Sequence, residues 1–226
     1  MKTLTKEMQS KITPQGAIEI LKAGNERFVS NLKLNRNLLQ QVNETREGQF
    51  PFAAILSCID SRAPAEMIFD QGLGDIFSIR IAGNFVNEDI LGSMEFACKV
   101  AGSKLIVVLG HTHCGAIKGA CDDVKLGNLT QMLSKIKPAV NKVKDETVRN
   151  SSNLSFVNKV THFNVELTIE EIKKKSPVLR ELIEKEEIAI VGGVYDIETG
   201  SVTFLDNSVA ALQANRYDLK SNYEMA

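Results

Sequence analysis

The sequence predicts an α/β fold: a mainly parallel central sheet with flanking helices, an N-terminal helical arm over residues 1–50, and a helical insertion over about residues 121–175. Three observations predict it. The runs Phe52-Ala53-Ala54-Ile55-Leu56 and Leu105-Ile106-Val107-Val108-Leu109 are apolar at every position, as strands buried on both faces are. Strand-like runs alternate with stretches of helical period, the pattern of a parallel sheet joined by crossover helices. Each apolar run also leads into a short motif of metal-ligating and charged side chains, Cys58-Ile59-Asp60-Ser61-Arg62 and His111-Thr112-His113-Cys114-Gly115. Open α/β sheets place their ligand sites at such carboxyl ends of strands.

Thr13-Pro14 starts a helix, with Thr as N-cap and Pro at the first helical position, and Ala17, Leu21, Gly24 and Phe28 recur at helical spacing. Residues 31–50 are polar and read as a loop or arm. Residues 52–57 form the first strand, Ala63-Pro64 opens a short helix ending near Gln71-Gly72, and residues 75–82 form the second strand before a Gly83-Asn84 turn. Met94, Ala97 and Ala101 mark the buried stripe of a helix closed by Gly102. The third strand is 104–110, and a helix follows through Ala116 and Ile117. Residues 121–175 interrupt the alternation. One helical stripe there comprises Leu129, Met132, Leu133, Ile136, Val140 and Val143, broken at Pro138; a second comprises Phe156, Val160, Phe163 and Leu167. Ser176-Pro177 caps a further helix, 188–191 is a fourth strand, and 195–204 reads as a hairpin into a fifth. The chain of 226 residues is expected to form one domain, without repeats or linkers.

Composition narrows the class. A net charge of −1 offers no footprint for nucleic acid, and no apolar run reaches the length of a membrane helix. The N-terminal Met1-Lys2-Thr3-Leu4-Thr5-Lys6-Glu7 lacks the apolar core of a secretory signal, so a cytoplasmic location is expected. In a reducing compartment, two of the four cysteines being set with His and Asp in short motifs points to metal rather than to disulfides.

Cys58, His111 and Cys114 make a soft ligand set that suits zinc, and three protein ligands leave the fourth position open for water, as in catalytic zinc sites. A zinc finger would use two close pairs, and only His111 and Cys114 form one here. Asp60 and Arg62 are expected to pair across an irregular turn, Arg62 fixing one carboxylate oxygen while the other orients a zinc-bound hydroxide. The same pairing would keep Asp60 from ligating the zinc itself. His113 is placed on the pocket rim, Cys98 in the core, and Cys121 beyond reach of the site.

These residues resemble a beta-class carbonic anhydrase, whose signature is Cys-x-Asp-x-Arg with His-x-x-Cys. The likeness extends over LKAGNERF, PAEMIFDQGLGDIF, RIAGN, SMEFA, VVLGHTHCGAIKGA and GGVYDIETGSVTFL. It implies zinc-dependent reversible hydration of carbon dioxide to bicarbonate and a proton, with one zinc per chain. By position it also implies a substrate pocket of Gln49, Phe77, Ala82, Phe96 and Gly115, with Gln49, Phe77 and Phe96 near a subunit boundary of a dimer or a dimer of dimers. Two departures stand out: Ile81 replaces a common Asn, and Ile55 replaces the Trp by which some members build a non-catalytic bicarbonate pocket, where Arg80 matches that pocket's Arg. Three further readings stay open on the residues alone: hydrolysis of another small electrophile such as carbon disulfide, a zinc-holding binding module, and a redox dithiol, which 56 positions between Cys58 and Cys114 disfavour.

Overall fold

A computed structural model describes residues 3–205. Its sheet has five strands, β1 (Ala53–Ser57), β2 (Ile76–Arg80), β3 (Leu105–His111), β4 (Ala189–Tyr195) and β5 (Val202–Phe204), in the order β2-β1-β3-β4-β5. The first four are parallel, and β5 returns antiparallel to β4 as the expected hairpin. From β1 the chain crosses to β2 on one side and then to β3 on the other, so a topological switch point lies between the ends of β1 and β3. Ser57 pairs with Leu109, which sets Cys58 beside Gly110 and one step from His111.

Ten helices flank the described sheet: α1 (Lys6–Lys11), α2 (Pro14–Val29), α3 (Leu38–Thr45), α4 (Ala65–Ile68), α5 (Glu88–Glu95), α6 (Gly115–Cys121), α7 (Gly127–Ser134), α8 (Lys137–Lys142), α9 (Leu154–Lys175) and α10 (Pro177–Glu184). Alternation along the strands divides the core. Ile55, Leu105, Val107 and Val191 meet Ile18, Leu21 and Phe69 on one face; Leu56, Ile106 and Val108 meet Met94, Val165, Ile169 and Leu179 on the other. The expected caps are made: Thr13 Oγ1 accepts from Gly16 N at 3.0 Å, and Ser176 Oγ from Leu179 N at 3.1 Å. Helix α5 continues through a π-helical turn, Phe96–Val100, that ends at Gly102 with φ of 83°.

Three details differ from the sequence reading. Residues 31–50 are not all loop. Asn37 caps α3, whose Leu38, Leu39 and Val42 cluster at helical spacing but remain exposed at 55, 77 and 51%, so their stripe does not mark a core face. Helix α2 of the N-terminal arm lies on its own chain's sheet, its Ala17, Ile18 and Leu21 fully buried. Finally, the helical stretch 121–175 is helical as expected, yet α9 packs directly on β3 and β4 as part of their parallel crossover. Gly110 permits that approach, since a Cβ there would sit 2.8 Å from the Val165 side chain. The end of the expected domain, residues 206–226, lies outside the described residues.

Candidate metal centre

Cys58 follows β1, His111 ends β3, and Cys114 precedes α6, so the two strand ends and one turn bring the three side chains together at the switch point. All three are buried, and their ligand atoms lie within 4.8 Å of one another. The turn between His111 and Cys114 passes through His113 in the left-handed region, with φ of 56°. That conformation is uncommon for a residue with a side chain. The chain reverses there sharply enough to aim the second thiol back at the first.

The donor chemistry fits a soft cation. His111 Nδ1 lies 2.8 Å from the Thr112 carbonyl oxygen, which can only accept, so the ring proton sits on Nδ1 and Nε2 presents its lone pair. That Nε2 is buried and has no hydrogen-bond partner. The sulfurs of Cys58 and Cys114 are 3.9 Å apart and not bonded. Two sulfurs on a tetrahedral zinc, each at about 2.3 Å, would stand about 3.8 Å apart. The Cys58 thiol is drawn down to about 4, first by the hydrogen bond with Cys114 and also by the N–H groups of Gly83 and Asp60, against the effect of burial. Cys114 is pushed up by that same hydrogen bond, by burial and by the charge on Cys58. Cys98 and Cys121 are raised by burial to about 12 and about 11, as inert core thiols are.

Asp60 and Arg62 form the expected bridge, with one difference. Arg62 takes both carboxylate oxygens: Oδ1 accepts from Arg62 Nε and from its backbone N, each at 2.9 Å, and Oδ2 accepts from Nη2 at 2.7 Å. The fork geometry of guanidinium makes both bonds available at once, where the sequence reading gave Arg62 only one. Oδ2 also faces His111 Nε2 at 3.8 Å. Hydrogen bonds from the Arg62 side chain hold the Asp60 carboxyl well below the usual carboxylate range in spite of its partial burial.

The remaining expected residues are dispersed. Gly115 opens α6 beside Cys114, exposed, with open space around its Cα. Ala82 is half-buried in the turn after β2, next to Gly83 whose N–H donates to Cys58 Sγ at 3.4 Å. Phe77 and Phe96 meet edge-on, centroids 6.2 Å apart, in an open groove with Arg80 and Ser93 that none of the three ligands lines. Phe96 is 53% exposed and so is not a core residue of the single chain. Gln49 lies on another surface depression, beside Thr45, Gly48 and Gly74. One chain therefore assembles the metal cluster and the Asp60–Arg62 bridge, but does not bring Gln49 to them.

His113 is half-buried and faces Glu198 of the β4–β5 turn, Nε2 to Oε1 at 3.0 Å. The same turn grips the second motif elsewhere: Thr112 N donates to Tyr195 O, and Ile197 N donates to Thr112 Oγ1 at 3.1 Å. The sequence reading missed the support from Asn164 of α9, whose Nδ2 donates to Gly83 O at 2.8 Å. An Asn amid the apolar positions of a helix that buries two faces was the available signal.

A parallel sheet with a Cys-His-Cys cluster at its switch point and a carboxylate held beside it by arginine defines an α/β metal-site protein of enzymatic type. Comparison narrows this. A family model described as carbonic anhydrase matches residues 53–202, and the chain belongs to the beta class of that enzyme family. It is 35% identical over 202 residues to carbonic anhydrase 2 of Mycobacterium tuberculosis, covering 86% of this chain and 94% of the relative. It is 32% identical over 195 residues to the carbonic anhydrase of Mycolicibacterium smegmatis, covering 84% and 92%. Among solved structures it is similar to a tetrameric beta-carbonic anhydrase of the filamentous ascomycete Sordaria macrospora, with a TM-score of 0.63 and 27% identity over 72% of this chain and 84% of the other. Among the described residues no helix is long and apolar enough to cross a membrane.

Proposed function

We propose that the protein holds one zinc ion per chain through Cys58 Sγ, His111 Nε2 and Cys114 Sγ and catalyses the reversible hydration of carbon dioxide to bicarbonate and a proton. The observation that carries the reading is the buried, unpartnered His111 Nε2 set against two sulfurs at the spacing of a tetrahedral site. Zinc would supply there a Lewis acid that makes water nucleophilic near neutral pH. Asp60, kept ionised by Arg62, would accept a hydrogen bond from the attacking water at Oδ2, the oxygen turned toward His111, and so fix the direction of its lone pair. Arg62 holds the carboxylate back from the open coordination position. Gly115 N–H, at the start of α6 beside Cys114, would donate to a substrate oxygen.

The active unit is a homodimer or a dimer of dimers in the cytoplasm. Gln49 and the Phe77–Phe96 pair complete the substrate pocket across the subunit boundary, with Ala82 lining its floor. The exposed Leu38, Leu39 and Val42 of α3 and Phe96 support this, because large apolar side chains grouped on a surface mark an interface. The test is a carbon dioxide hydration assay with zinc measured on the same sample. Turnover that rises in proportion to zinc up to one ion per chain supports the reading; zinc-free protein with full turnover overturns it.

A further inference from the structure

We propose that Arg80 is a positioning residue for the metal centre, tying the loop that carries both Cys58 and Asp60 to the end of β2. The inference rests on the zinc reading above. Arg80 Nε donates to the Cys58 carbonyl oxygen at 3.0 Å, and Arg80 Nη2 donates to the Asp60 carbonyl oxygen at 2.6 Å. No carboxylate of the described residues lies within ion-pair distance of it. A guanidinium that directs two arms at neutral carbonyls, with no acid among the described residues to anchor it, is committed to the backbone it grips.

The loop needs an external tie. After Ser57 the strand ladder ends, and residues 58–62 are irregular, with Ile59 and Ser61 exposed. The Asp60–Arg62 bridge lies wholly inside this loop. It fixes the carboxylate against its own backbone but not against the sulfur cluster, and Ala63 N to Asp60 O at 3.0 Å is equally local. Arg80 supplies the missing reference, because its two arms set the Cys58 and Asp60 backbones against one rigid plane. Three residues on, Gly83 N–H reaches Cys58 Sγ at 3.4 Å. The segment leaving β2 therefore holds Cys58 at both its carbonyl and its sulfur, and Gly83 is itself held by Asn164. The carbonyl that Arg80 polarises belongs to the ligand residue itself, so the contact sets the direction of its Cα–Cβ bond and hence of Sγ.

The experiment compares the full-length parent with Arg80→Ala and Arg80→Lys. Folding is checked by circular dichroism and size-exclusion chromatography. Metal is read by zinc release to a chelator and by the sulfur-to-cobalt charge-transfer band of the Co2+-substituted protein; kcat and KM are measured separately. Supporting metal-ligand contacts are generally worth about ten- to hundred-fold in metal affinity or activity. Arg80→Ala is expected to lose zinc about ten-fold faster, shift the cobalt band, and lower kcat with KM little changed. Lysine keeps the charge but lacks the fork, so Arg80→Lys should recover only part of each effect. If Arg80→Ala does not fold, Arg80→Lys decides: a parental cobalt band and zinc release overturn the inference, and a displaced band with faster release supports it. Parental behaviour in both variants overturns the role of Arg80 while leaving the zinc reading intact. A parent protein that takes up neither zinc nor cobalt overturns both.

Discussion

The metal cluster and the aromatic groove are built on opposite principles. Cys58, His111 and Cys114 come from separate segments of one chain and are buried together, with the half-buried Asp60 carboxylate held beside them by Arg62. Phe77, Phe96 and Gln49 lie on open surfaces, and Gln49 shares no depression with the aromatic pair. The first region needs only the fold. The second is a set of parts presented outward. The contrast teaches that the single chain assembles the Cys-His-Cys cluster but does not bring Gln49 and the aromatic pair together.

The contrast breaks most completely if a ligand is dispensable. Cys114→Ala should lose stoichiometric zinc and all measurable turnover together; full zinc occupancy in that variant, read by atomic absorption, would remove Cys114 from the site. Next in size, Asp60→Ala or Arg62→Ala should cut turnover by orders of magnitude while zinc is retained. Because the two act as one unit, the double variant should be little worse than the worse single one. Near-normal kcat in Arg62→Ala contradicts the bridge's role.

A third variant separates the two regions directly. Since α2 belongs to the core, removing the N-terminal residues would damage the fold, and point changes on α3 are cleaner. Leu38→Glu with Leu39→Glu should give a monomer by analytical ultracentrifugation that keeps its zinc and has little activity. A fully active monomer at assay concentration would show that the groove needs no partner.

The smallest effect concerns pH. Asp60 titrates below its ordinary range, so it stays ionised through neutrality and the turnover profile there is not its own. Its contribution to stability is present above the ordinary carboxylate value of about 4 and is lost as pH falls toward its lower folded value. Two thiolates cancel the charge of zinc, so water should ionise less readily than at a three-histidine site, and turnover should rise through mildly alkaline pH. Ile55 is fully buried in the core where a Trp-lined bicarbonate pocket would need its ring. Added bicarbonate should therefore cause no cooperative collapse. A steep loss below about pH 8 that bicarbonate deepens would show that Asp60 swings onto the metal after all.

Much of this was legible in the sequence because the informative residues are contiguous. CIDSR and HTHC each follow an unbroken apolar run, so the strand, its end and the ligands are read together. Caps at Thr13 and Ser176 were equally local. Contacts that join distant segments were not legible. Nothing near Arg80 announces that its arms go to carbonyls 20 and 22 positions earlier, and Asn164 reaches Gly83 across 81. Helix α3 escaped because its apolar residues face outward, so periodicity had no core to report. Both oxygens of Asp60 being taken by Arg62 was a matter of side-chain reach, which spacing alone does not fix.

The pairing of Ser57 with Leu109 has a consequence for how such a protein tolerates change. Adjacent strands stand about 4.8 Å apart whatever lies between them in the chain. The hydrogen-bonded ladder is thus the ruler that sets the gap between the first sulfur and the imidazole. The chain joining Cys58 to His111, with its two helices and edge strand, can gain or lose residues in its turns without altering that gap. Separation along the polypeptide and separation of the ligands are decoupled, so the turns outside the Arg80–Gly83 stretch are free to diversify while the chemistry they enclose stays fixed.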